Sequence, residues 1–193
     1  FLKQVYSQIA KAVEHGVNVV STCEELAYPY ITEPKLAQKL DELAKEHEVT
    51  VLGTGINPGF MMDTLAITLT SVCQKVEKIK ATRIVNAATR RAPFQKKIGA
   101  GLSVKEFRDR IKRKTITGHV GLEQSISMMA NSLGWELDEI EVDSIKPIVA
   151  KAPVESKAIR VEPGHVAGLR QCSRGMMGGG EVITLDLQAY IGA

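Results

Sequence analysis

No apolar run in this 193-residue chain is long enough to span a bilayer, and no signal-peptide pattern is present. That points away from a membrane partner. The three cysteines, Cys23, Cys73 and Cys172, are odd in number and lack any C-x-x-C spacing. This excludes a disulfide framework and predicts a reduced, cytoplasmic protein. The four histidines, at positions 15, 47, 119 and 165, are scattered without metal-ligand spacing, so no metal is expected. A G-x-G-x-x-G phosphate fingerprint is absent, as are internal repeats and low-complexity linkers. What remains is an ordinary soluble composition, 44% hydrophobic and 24% charged, enough for one sizeable domain or parts of two.

Charge is present but unevenly spread. Net charge is only +3, yet Lys75 to Lys114 carries fourteen Lys or Arg against three acids, and the flanks are acidic. Such a block suits an anionic partner, although the run Arg108 to Lys114 also reads as a solvated helix face. The chain opens at Phe1 inside a helical pattern and stops at Ala193 after a strand pattern, so both ends are expected to be cut.

Leu2, Val5, Tyr6, Ile9 and Val13 recur at helical spacing and Gly16 follows as a stop. Val17 to Ser21 is a short buried-strand pattern. Thr32 is expected to cap a second helix with Pro34 in its first turn, and Val49 to Leu52 is a second strand. Residues 1–60 therefore read as the back half of a doubly wound, Rossmann-type parallel sheet in an α/β protein. Beyond residue 60 the order is mixed: a helix over Met61 to Val76, a strand over Ile79 to Asn86, and an irregular basic stretch over 87–101. A capping box at Ser103-Val104-Lys105-Glu106 and a helix over Gly121 to Leu133 follow, then β-rich segments. Residues 61–193 are thus an α+β domain.

The first candidate site is Gly53-Thr54-Gly55-Ile56-Asn57-Pro58-Gly59-Phe60, a glycine-rich turn between strand and helix. Ligands of open α/β sheets bind at such carboxyl-end turns, and a helix entered through Pro58 would offer unpaired N–H groups. The second is Thr89-Arg90-Arg91 with Lys96-Lys97-Ile98-Gly99-Ala100-Gly101, whose cations suit a small carboxylate and whose glycines suit a loop around an anion. Lys97, if desolvated, is a candidate base, and His119 is a second candidate acid or base. Ile111 to Leu133 superficially resembles a helix-turn-helix. Its second helix carries no Lys or Arg, which argues against nucleic acid.

Together, Val19-Val20-Ser21-Thr22 with Glu24-Glu25-Leu26, the Val51 to Asp63 run, Thr89-Arg90-Arg91 with Gln95 to Gly101, and Gly118-His119-Val120-Gly121 resemble the 2,4-diaminopentanoate dehydrogenase family. That family sits within the wider dihydrodipicolinate reductase-related group. The resemblance runs over nearly the whole chain. It implies an NAD(P)-dependent oxidoreductase that takes hydride from an amine-bearing carbon. It also implies a Rossmann half for the cofactor, and a C-terminal domain that binds a small amino-acid substrate and builds a homodimer or homotetramer. Thr22, Thr54, Gly55, Asn57, Pro58 and Gly59 would then face NAD or NADP. Thr89, Arg90, Arg91, Gly99 and Gly101 would hold the substrate, and Lys97, with His119 second, would move the proton. Two departures stand out. The family's phosphate loop would lie before Phe1. The reductases' His-His pair and Asp-Ala-Pro-Ser-Gly-Thr run are replaced by Thr89-Arg90-Arg91 and Lys97 to Gly101, which fits a substrate with free amines and a carboxylate. The competing reading is a non-catalytic domain that binds a small anion and oligomerises.

Overall fold

The computed structural model describes all residues 1–193 as a mixed α/β chain. In order come α1 (Leu2–Glu14), β1 (Val19–Ser21), α2 (Pro34–Glu46), β2 (Val51–Gly53), α3 (Thr64–Thr70) and β3 (Ile79–Asn86). Next are α4 (Ala92–Lys97), α5 (Val104–Lys112), α6 (Leu122–Ser132), β4 (Glu139–Val142) and β5 (Lys146–Val149). The chain ends with β6 (Val154–Glu155), β7 (Arg160–Val161), β8 (Val166–Met177) and β9 (Gly180–Tyr190). Strands β1 and β2 pair in parallel; a five-stranded sheet has the path β3-β9-β8-β4 with β5 antiparallel on β8; β6 and β7 form a small antiparallel pair. No helix is long and apolar enough to cross a membrane. Two compact units result. One comprises Phe1–Ile79, Val120–Ile140 and Arg174–Ile183; the other comprises Lys80–His119, Glu141–Ser173 and Thr184–Ala193.

In the first unit, α1 and α2 pack through Leu2, Ile9, Val13, Leu40 and Ala44, with Val19 and Val51 against them. The i, i+3, i+4 apolar spacing predicts these faces. Residue Val20 pairs with Leu52 in register, and both lie on the other face of β1–β2, at 69% and 50% exposure. Two local expectations are corrected. Glu33, not Thr32, is the N-cap of α2, and its carboxylate pairs with Lys3 Nζ at 2.8 Å. The helix expected over Met61 to Val76 shrinks to Thr64–Thr70, because the Asp63 carboxylate accepts the Thr64 N–H and fixes the start. Near its end the Thr68, Thr70 and Ser71 hydroxyls bond backbone carbonyls, a pattern that weakens helices. Helix α6 is a core helix that buries Leu122, Gln124, Ser125, Ile126, Met129 and Ala130. The side it leaves open carries Glu123, Ser127 and Asn131 and no cation, which does not favour the helix-turn-helix reading.

The second unit is built around Phe107, fully buried among Ile98, Ile116, Val166 and Leu169. The predicted capping box is present: Ser103 Oγ accepts the Glu106 N–H at 3.2 Å and Glu106 Oε2 accepts the Ser103 N–H at 3.0 Å. Helix α5 exposes Arg108, Arg110 and Lys112, and its C-cap Arg113 is exposed too, so the basic run is a solvated face. Helix α4 replaces the irregular stretch expected there; six residues are too few to show a period.

On β8 and β9, Arg170 Nε and Nη2 donate to Asp186 Oδ1 and Oδ2 at 2.9 and 2.7 Å, and Gln188 Nε2 adds a third bond at 3.2 Å. Burial pushes the Asp186 carboxyl up, but the hydrogen bonds and positive charge of Arg170, with Gln188, outweigh it and hold the group below the ordinary aspartate value of 3.8. A depressed carboxyl contributes stability that is present above the unfolded value and is lost as pH falls through the folded one. Asp186→Asn is therefore expected to flatten the acid limb of a Tm-against-pH curve below about pH 4. An unchanged acid limb would show that this pair carries no pH-dependent stability.

Candidate functional site

The β2–α3 turn is closed on itself. Gly59 has φ +120°, and a Cβ there would lie 2.3 Å from Gly55 N and 2.7 Å from Thr54 C. Only glycine lets residue 59 fold back onto residues 54 and 55. The Thr54 N–H donates to Ser21 O at 2.9 Å, which ties this turn to the end of β1. Gly53 permits a second close approach: a Cβ would lie 2.1 Å from Leu26 O. That carbonyl belongs to a short 3-10 helix, Glu24–Ala27, so the loop after β1 docks directly on β2.

The carboxyl ends of two parallel strands thus present Thr22, Thr54, Gly55 and Gly59 together, flanked by Ile56 and Phe60 at 61% and 49% exposure. Asn57 and Pro58 are buried, and the peptide between them is cis. They shape the turn from below rather than open a helix. Pro58 does not start α3, and that helix's first N–H is taken by Asp63. The expected anion site at a Pro58 helix start is therefore absent.

The structure adds an acidic pair that sequence reasoning left off the site. Glu24 and Glu25 sit in the 3-10 helix at the same strand edge. Glu25 Oε2 accepts the Leu2 N–H at 2.6 Å, whereas Glu24 is exposed. Their position directly after a parallel strand was the available signal.

In the second unit the basic cluster is assembled differently from the sequence expectation. Thr89, Arg90, Arg91 and Lys97 are exposed around the start and end of α4. The Thr89 hydroxyl donates to Asn86 O at 3.1 Å. Exposure removes the desolvation on which a base role for Lys97 rested. The N–H groups of Gly99, Ala100 and Gly101 donate to Lys96 O, Gln95 O and Val166 O at 3.0, 3.1 and 2.8 Å. These glycines do not cradle an anion. Gly99 packs against the Phe107 ring and Gly101 against Ile159. His119 is half-buried, and its backbone N–H donates to Gln171 Oε1 at 2.8 Å.

Arg83 was missed. It shares the inner side of β3 with Ala81 and Val85, while Thr82 and Ile84 alternate outward. Burial lowers its guanidinium below the usual value, and the positive charge of Arg90 lowers it further. A half-buried guanidinium with an exposed like-charged neighbour is a candidate for binding a small anion. A cation at an alternating, inward strand position was the sequence signal. No group of three His, Cys, Asp or Glu side chains converges as a metal site, and the three cysteines are free thiols.

The family profile described as the 2,4-diaminopentanoate dehydrogenase C-terminal domain matches residues 60–191. A curated 2,4-diaminopentanoate dehydrogenase from Acetoanaerobium sticklandii is 38% identical over 186 residues, which is 96% of this chain and 53% of that protein. The chain therefore spans about half the length of this curated relative. The solved amine dehydrogenase from Mycobacterium smegmatis has the same fold, with a TM-score of 0.75 at 23% identity, covering 100% of this chain and 57% of that one. By its sequence over two thirds of its length, this chain belongs to the 2,4-diaminopentanoate dehydrogenase C-terminal domain family.

Proposed function

We propose that this chain is part of an NAD(P)-dependent dehydrogenase acting at the amine-bearing carbon of a small diamino acid, with 2,4-diaminopentanoate as the first substrate to test. The observation that carries it is the 38% identity to a 2,4-diaminopentanoate dehydrogenase across nearly the whole chain. Residues 1–60 read as the back half of a Rossmann-type sheet. Parallel sheets are normally covered on both faces, and the exposed Val20–Leu52 face fits such a half. Residues 61–193 read as the substrate and oligomerisation domain of a homodimer or homotetramer. The three free thiols suit a cytoplasmic setting.

The residues present fit the nicotinamide end of the dinucleotide. Thr54, Gly55 and Gly59 offer close-approach backbone, and Ile56 and Phe60 offer exposed apolar surface for a flat ring. No phosphate loop lies in these 193 residues, so no diphosphate contact is assigned. When bound, the dinucleotide supplies the hydride acceptor. Arg83 and Arg90 would hold the substrate carboxylate, with Thr89 and Arg91 beside them. His119 would take up the proton released as the carbon–nitrogen bond becomes an imine. Water would then hydrolyse that imine to ketone and ammonia. Positioning supplies much of the rate.

The test is spectrophotometric: NAD(P)H formation at 340 nm from 2,4-diaminopentanoate, with each dinucleotide in turn, using protein of the relatives' full length. Turnover with one of them supports the reading. Binding of a small carboxylate with no dinucleotide affinity would instead favour the non-catalytic anion-binding domain.

A further inference from the structure

Asp63 is fully buried, at 0% exposure. Its Oδ2 accepts the Gly59 N–H at 2.8 Å and the Ser125 hydroxyl at 2.7 Å; its Oδ1 accepts the Thr64 N–H. The Thr64 hydroxyl in turn donates to Gly59 O at 3.0 Å. Both backbone polar groups of Gly59 are therefore held by the Asp63–Thr64 pair. Helix α6 meets the same turn twice. Ser125, fully buried, anchors the carboxylate, and Gly121 leaves room for Pro58, whose Cδ would lie 2.5 Å from a Cβ at that position. A buried carboxylate is costly unless its lone pairs are filled, and here they are filled by the turn and by α6. So expensive a group is more than a helix cap requires, since an exposed Ser, Thr or Asp serves that purpose.

We propose that Asp63, anchored by Ser125, is the positioning residue of the Thr54–Gly59 turn and sets the backbone geometry on which hydride transfer depends. This rests on the nicotinamide reading of the turn. Asp63 touches neither substrate nor cofactor; it acts through Gly59. The carboxylate is suited to this because it accepts the Gly59 amide and the Ser125 hydroxyl through one oxygen. The isosteric amide of Asn must give up one of its accepting oxygens for a donor.

The experiment compares Asp63→Asn, Ser125→Ala and Ser125→Thr with the parent protein by hydrogen–deuterium exchange over residues 53–63 and by steady-state kinetics. Loss of the charge-assisted bond is expected to speed exchange of this segment by about tenfold or more. In the same variants kcat is expected to fall by roughly ten- to a hundredfold with KM for the diamino acid little changed. Ser125→Thr, which keeps the hydroxyl, is expected to restore both. Unchanged exchange would overturn the pinning role. Faster exchange with parental kcat would overturn the positioning role while leaving the nicotinamide reading standing. A parent protein with no NAD(P)-linked turnover would remove that reading and this proposal together, with the exchange data still reporting the pin. If Asp63→Asn fails to fold, Ser125→Ala and Ser125→Thr decide.

Discussion

Gly59→Ala is expected to abolish NAD(P)-linked turnover, by at least about a hundredfold, and to lower Tm. The reason is local and steric. At φ +120° a side chain is strained by about 1–3 kcal/mol wherever it stands. Here the new Cβ would also lie 2.3 Å from Gly55 N and 2.7 Å from Thr54 C, both backbone atoms with no rotamer to escape into. The turn must open, which carries Gly55 and Thr54 away from the Ser21 carbonyl and pulls the Gly59 amide from Asp63. Gly16→Ala is the control. Gly16 has φ +71° but nothing within 4 Å of a Cβ, so only the strain term applies there. Gly16→Ala should lose stability modestly and keep its turnover. Parental turnover in Gly59→Ala would rule out this turn as the nicotinamide side, whatever its stability.

The second large effect is expected at Arg83. Arg83→Met should raise KM for the diamino acid by roughly 30- to 150-fold, the equivalent of about 2–3 kcal/mol for one charge-assisted bond to a carboxylate. Effects on kcat should be smaller, because carboxylate binding is retained from ground state to transition state. Fold stability should hold or rise. In the free protein Arg83 is half-buried with Arg90 as a like-charged neighbour, so removing one cation relieves repulsion. Arg83→Lys should recover only part of the affinity, since an ammonium lacks the planar fork. An unchanged KM in Arg83→Met would assign the carboxylate to other cations, and the exposed Arg91 would be tested next.

Lys97 shows how sequence and structure divide the work. Its neighbours Gly99, Ala100 and Gly101 look from sequence like a loop around an anion. In the fold their N–H groups close the end of α4 and meet β8, and the two glycines' missing side chains make room for Phe107 and Ile159. A glycine's reason for being glycine depends on which atom stands opposite its absent Cβ, and no local pattern encodes that. The same limit hid Asp63. It reads as an ordinary residue after two methionines, because its partner Ser125 lies sixty-two residues away.

By itself, the sequence determined what local periodicity can determine. Amphipathic α1 and α2, the α-β-α-β order at the start, the Ser103 capping box, strand β3 and helix α6 all follow from spacing and cap chemistry within a few residues. The family was legible for the same reason, since its motifs are contiguous. Only the tertiary structure decided which candidate groups are exposed, which are already bonded, and which distant residues hold the turn. Burial, and hydrogen bonds between residues far apart in sequence, are properties of the packed chain. Arg83, Asp63 and Ser125 acquire their significance there.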